Sequence, residues 1–229
     1  MTDPKGHRPN LTIVHRTVEQ RYTQCGSIVR EFVARLSALV PDGSARYGRD
    51  SGHFERSRLM ATSADVLTDG FERIREVVHE AVDGLDEDLL AQRLDAGANS
   101  IAWLIWHLTR VQDDHIADGA GVEQVWTARG WYDRFGLPID KSATGYGDRP
   151  ADVAVVRAPA ELLTGYYDAV HEQTLRYVRD LADGDLDRIV DTRWDPPVTL
   201  GVRLVSVISD DLQHAGQAAF LRGVLERTG

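Results

Sequence analysis

The sequence predicts an all-α protein: an antiparallel four-helix bundle with an extra helix added on its N-terminal side. Three observations carry that expectation. Apolar residues recur at gaps of three and four through five separate stretches, strand-like alternation is sparse, and breakers such as Pro41-Asp42-Gly43, Gly84 and Pro196-Pro197 punctuate the stretches. At 229 residues the chain can bury one substantial core. It holds no internal repeat, Gly-rich phosphate loop or nucleophile elbow.

The first stretch places Leu11, Val14, Val18, Tyr22, Cys25 and Val29 on a heptad-like seam that continues to Leu39. Such a helix either mediates homodimerisation or docks on the body of its own chain. Residues 41–58 are rich in Gly, Ser, Asp and Arg without an apolar period, which reads as a linker. The expected division is therefore an N-terminal segment, 1–58, and a helical domain, 59–229. Charge divides similarly: residues 1–56 carry nine Lys/Arg against six Asp/Glu, leaving the remainder strongly acidic.

Residues 63–83 bring Val66, Leu67, Phe71, Ile74, Val78 and Val82 to one helical face, with Ser63 as N-cap and Gly84 as stop. After a connection from Leu85 to Ala98, Asn99-Ser100 can cap a second helix running from Ile101 to about Asp118. His107 falls at the edge of its apolar stripe, beside Trp103, Val111 and Asp114. Alone, a histidine there reads as a boundary residue. From Gly119 to Pro150 the chain is irregular but aromatic, which suggests either a lid or pocket wall, or a cap sealing one end of the bundle.

Pro159 and Glu161 open a third helix, extending to about Asp183. Residues 184–198 form a connection in which Pro196 and Pro197 preclude helix. Thr199 can cap the last helix, from Leu200 to about Arg227.

Composition narrows the function. A net charge of −10 excludes the basic footprint of a nucleic-acid binder, and no apolar run is long enough to span a bilayer. The N-terminal residues lack the apolar core of a signal peptide, so a cytoplasmic protein acting on a small molecule is expected. Cys25 is the only cysteine, so any metal must rest on His, Asp and Glu.

On the last helix Arg203, Ser206, Asp210, His214 and Gln217 fall in a polar stripe, while Leu204, Ile208, Leu212, Ala215 and Ala219 fall on another face. Asp210 and His214, one turn apart, either form a surface pair or aim at one metal ion. The second option needs a third ligand from elsewhere.

The segments Asn99-Ser100-Ile101-Ala102-Trp103-Leu104-Ile105-Trp106-His107-Leu108 and Asp210-Asp211-Leu212-Gln213-His214-Ala215-Gly216-Gln217 resemble those of the DinB/YfiT-like superfamily of metalloenzymes. The resemblance runs from about Met60 to the C-terminus. It implies a divalent metal, zinc or nickel, held by His107, Asp210 and His214. Where many members carry His, this chain has Asp210; mycothiol-dependent maleylpyruvate isomerases carry Glu there, one methylene longer. Asp211 is an alternative ligand ranked below Asp210.

The resemblance further implies a thiol S-transferase, using a low-molecular-weight thiol such as mycothiol against an electrophilic small molecule. Arg-, Ala-, Asp- and Gly-rich usage, as in GC-rich genomes of mycothiol users, agrees. Two imidazoles and one carboxylate leave an ion with open positions and residual positive charge, suited to lowering the pKa of a bound thiol or water. The alternatives are a metal-dependent hydrolase and a non-catalytic, metal-stabilised dimeric bundle. Arg203 is the candidate for holding a substrate or thiol carboxylate, or else forms an ion pair. Ser206 and Gln217 are candidates for orienting the ligands. His79, His115 and His171 are expected to be solvated.

Overall fold

A computed structural model of the protein describes residues 61–228. The expected seam helix at 11–39 and the linker at 41–58 lie outside the described residues.

The first described helix, α1 (Ser63–Val82), begins one residue earlier than the capping pattern suggested. Thr62 rather than Ser63 is the N-cap: its hydroxyl takes the Asp65 amide while the Asp65 carboxylate takes the Thr62 amide. A short α2 (Glu87–Ala91), capped by Asp86, interrupts the expected connection. Ser100 caps α3 (Ile101–Ala120) as its chemistry predicts, accepting from Trp103 N. Gly121, at φ 68°, ends that helix in the left-handed conformation that favours glycine.

The aromatic segment after α3 is ordered around three short helices, α4 (Val125–Ala128), α5 (Trp131–Phe135) and α6 (Pro150–Val153). It then feeds α7 (Ala160–Arg179), which stops before the predicted Asp183. A 3-10 turn at Asp183–Asp187 leads into two short antiparallel strands, β1 (Ile189–Asp191) and β2 (Val198–Thr199), with Ile189 opposite Thr199 and Asp191 opposite Val198. This hairpin lies in the connection where Pro196 and Pro197 are expected to preclude helix. Its strands are too short for period-two alternation to register in the sequence. Thr199 Oγ1 accepts from Val202 N at 3.3 Å at the start of α8 (Leu200–Thr228).

The all-α expectation thus holds, with one small hairpin added. Helix α3 packs on α7 and α8, and α1 packs on the same two helices, so α1 and α3 meet little directly. The core between them takes Phe71, Ile74 and Val78 from α1, Ile105 and Leu108 from α3, and Tyr166, Val170 and Leu204 from the others. Burying each such side chain contributes about 1.5–3 kcal/mol before conformational entropy is subtracted.

Helix α3 is buried on more sides than an amphipathic stripe implies. Thr109, Arg110, Gln112 and Asp113 are all 0% exposed. Arg110 and Asp113, unpromising core residues by type, organise the segment that covers them. Asp113 accepts from the amides of Val125 and Trp126 and from Tyr166 Oη, all at 2.8 Å. Arg110 donates to Ala143 O and Tyr166 Oη and lies over the Trp126 ring at 5.1 Å. Buried charges are tolerated here because each meets partners.

On α8 the predicted apolar face is displaced. Leu204, Val207, Asp211, Ala215, Ala218 and Leu221 point inward, whereas Leu212 and Phe220 are 43% and 68% exposed. An aspartate occupies one position of the inward seam.

Candidate functional site

Helices α3 and α8 pack along their lengths, and the edge position of His107 on α3 thereby faces the polar stripe of α8. One ligand atom from each of His107, Asp210 and His214 lies within 4.8 Å of the other two. The imidazoles meet edge to face, centroids 4.9 Å apart, and His107 stacks on Trp103 at 4.5 Å. Trp103 is fixed in turn by its Nε1 donating to Asp148 Oδ2 at 2.9 Å.

Each histidine has its far nitrogen occupied. His107 Nδ1 is 2.5 Å from Thr144 O, an acceptor, so Nδ1 carries the proton and the Nε2 lone pair is bare. His214 Nδ1 lies 3.0 Å from Gln217 Oε1, an acceptor that favours the same tautomer. Ser206 makes no such contact, because its hydroxyl donates to Val202 O. His214 Nε2 stands 3.7 Å from Asp210 Oδ1, while Asp210 Oδ2 is buried without a partner. Burial holds the His107 imidazole below its ordinary pKa against the opposing Thr144 hydrogen bond, and His214 adds to the depression.

The donor set fits a divalent cation. Two bare Nε2 atoms, one unpartnered carboxylate oxygen and back-side hydrogen bonds on both rings are what such an ion requires of its ligands.

The lower rank of Asp211 is consistent with its place: it is 0% exposed, on the inward seam, with both oxygens lacking partners. Burial, then the neighbouring Asp210, pushes its carboxyl well above the ordinary value. It stays outside the group formed by His107, Asp210 and His214.

A cavity of about 800 Å³ opens beside that group, lined on its polar side by His107, Asp210, Arg203, Arg193 and His115. Arg203 is an ion-pair partner there, but of Asp191 rather than Asp210. Its Nη2 donates to Asp191 Oδ2 at 3.0 Å and its Nη1 to His115 Nδ1 at 2.6 Å. The guanidinium therefore straps the β1–β2 hairpin and α3 to α8.

The aromatic segment supplies Thr144 and Tyr146 to the cavity, so it does form part of the pocket wall. Gly145 between them has φ 87°, and a Cβ on it would come within 2.6 Å of His107 Nδ1 and 3.0 Å of Trp106.

Sequence reasoning did not single out Thr144, Asp191 or Arg193; it met Gly145 only as glycine punctuation and His115 only as a solvated histidine. Asp191 and Arg193 depend on a hairpin that the sequence does not announce. The three histidines expected in solvent are paired. His171 is 5% exposed with Nε2 3.3 Å from Glu72 Oε2, His79 Nε2 is 2.9 Å from Asp168 Oδ1, and His115 lines the cavity. They are drawn in because α7 packs on α1, and because Arg203 of α8, paired to Asp191 of the hairpin, reaches His115.

Among the described residues no helix is long and apolar enough to cross a membrane. A family profile described as Mycothiol-S-transferase matches residues 66–227. The chain is also similar to the protein described as the conserved protein of a locus from Enterococcus faecalis, whose crystal structure aligns with a TM-score of 0.69 at 26% identity. That likeness covers 74% of this chain and 100% of the other. No curated protein matches.

Proposed function

Because the chain belongs to the mycothiol-S-transferase family, we propose that it transfers a low-molecular-weight thiol, of the mycothiol type, to an electrophilic small molecule. In such a transfer the thiol releases its proton to solvent and a carbon–sulfur bond forms. The bond from carbon to the leaving group breaks, and that group departs with the electron pair. We read the four long helices as an antiparallel bundle that fixes the site between the second and the last of them.

His107, Asp210 and His214 would hold the divalent ion, zinc or nickel. Bound there, it would supply a Lewis acid that lowers the pKa of the thiol. The protein's own part is to prepare the ligands. Thr144 O and Gln217 Oε1 keep the proton of each imidazole on Nδ1 and turn Nε2 inward. Trp103, 6% exposed and stacked on His107, excludes water from one side of the group.

The observation that carries this reading is the approach of three ligand atoms to within 4.8 Å with both Nδ1 atoms already spent. Elemental analysis of untagged protein tests it. A stoichiometric divalent metal is expected, lost in His107→Ala and in His214→Ala. Metal content unchanged in both variants would exclude the site, and turnover of electrophiles without any thiol would indicate a hydrolase instead.

A further inference from the structure

The charged groups around the cavity beside His107 and Asp210 are spent on one another. Asp191, 7% exposed, takes Arg193 Nε and Nη2 at 3.0 and 2.8 Å and Arg203 Nη2 at 3.0 Å, and Asp118 also lies near Arg193. His115 Nδ1 accepts from Arg203 Nη1, and Asp114 Oδ1 takes Gln124 Nε2 at 2.7 Å. With Asp114, Asp191 and Asp210 against two arginines, the lining holds no spare cation for an anionic ligand. The arginines anchor the hairpin to α8 instead.

What the wall leaves to a ligand is apolar. Val111, Val198, Val202 and Val207 line it together with Tyr146 and Trp194. Those two rings stand apart from the other aromatics: Tyr146 is 93% and Trp194 65% exposed, whereas Trp103, Trp106, Trp126, Tyr166 and Tyr167 are buried. Neither ring has a hydrogen bond or a ring partner among the described residues. Both are nonetheless carried by anchored backbone. Tyr146 follows Gly145, whose backbone lies against His107, and Trp194 follows Arg193, which is clasped to Asp191. Large aromatic faces left in water on the wall of a cavity, beside a group that fits a metal ion, offer contact area to a small molecule.

We propose that Trp194 and Tyr146 determine specificity for the electrophile, receiving a flat, uncharged aromatic molecule by ring contact in the cavity beside His107 and Asp210. Only the statement that this ligand is the electrophile rests on the S-transfer reading. The paired charges of the wall add nothing for an acid, so selection is by shape and apolar contact.

Calorimetric titration of the full chain with naphthalene-2-carboxamide tests this without thiol or turnover. The comparison ligands are the saturated decahydronaphthalene-2-carboxamide and the anionic naphthalene-2-carboxylate. The flat amide is expected to bind about threefold to tenfold more tightly than its saturated counterpart, although the latter is the more apolar, and no less tightly than the acid. Trp194→Ala should lower its affinity about tenfold and Tyr146→Ala about threefold, while Trp194→Phe and Tyr146→Phe should retain most of it. Both rings are exposed, so circular dichroism of the variants should match the parent chain. Equal or tighter binding of the saturated amide, tighter binding of the acid, binding of none of the three, or an affinity that either alanine variant leaves unchanged would overturn the proposal. Ring-dependent binding in a protein that turns over no electrophile with any thiol would leave the subsite standing and remove the S-transfer reading; thiol-dependent turnover that neither alanine variant alters would do the reverse.

Discussion

His107 is held by a carbonyl oxygen and by the lack of a methyl group next to it. Gly145 lets the loop backbone approach so closely that Thr144 O reaches Nδ1. Gly145→Ala adds a Cβ at a left-handed φ and into the imidazole, which the loop can relieve only by retreating. We expect metal affinity, measured by chelator competition, to fall about 10–100-fold, the range seen when a ligand's supporting hydrogen bond is lost. Gln217→Leu removes the equivalent support from His214 and should weaken binding on a similar scale, while leaving the helix intact. Retention of parental affinity in both variants would mean that the ligands orient themselves.

At the scale of elements, the inward seam of α8 contains one residue that does not belong by polarity. Asp211 is fully buried without a hydrogen-bond partner, and an unpaired buried polar group costs about 1–3 kcal/mol. Asp211→Val should raise the melting temperature and leave metal content unchanged, which thermal scans with elemental analysis would check. The contact of α1 with α7 makes a different prediction. Burial holds His171 below its ordinary 6.5, against Glu72, while Arg75 lowers and Asp168 raises it further from the same interface. A histidine depressed in the folded state contributes stability that is present above the unfolded value and lost as pH falls through the folded one. The melting temperature should therefore decline as pH drops below about 6.5, and His171→Gln should flatten that decline. An identical pH profile in the variant would assign the acid sensitivity to other groups.

The described residues are organised around α3, which is covered on one side by α7 and α8 and on the other by the segment from Val125 to Val153. Asp113 fastens that cover through two backbone amides and Tyr166. Asp113→Ala leaves Arg110 buried without its carboxylate, so we expect a loss of about 3–5 kcal/mol, measurable by denaturant unfolding. Disturbance should reach the cavity as well, because Arg110 also holds Ala143, next to Thr144. An ion shared by α3 and α8 would bind the folded chain and not the unfolded one. Chelation should accordingly lower the melting temperature, and saturation at 100 times Kd should raise stability by about 2.7 kcal/mol over the metal-free protein.

Within residues 61–228 the sequence by itself determined the long helices and most of their caps, because apolar periodicity and Ser, Thr, Pro and Gly chemistry act over one or two turns. It also determined that His107, Asp210 and His214 were the residues to bring together, since the spacing of the last two fixes them on one helix face and the resemblance supplied the first. Only the tertiary structure decided which way α8 turns, how Asp211 came to lie inside, and where Thr144, Asp191 and Arg193 meet the site. Those positions depend on contacts across 37 residues from His107 to Thr144 and 12 from Asp191 to Arg203. Nothing local in the chain encodes such meetings; they exist because helices already formed must bury their apolar faces against one another, and the connecting segments go where that packing leaves room.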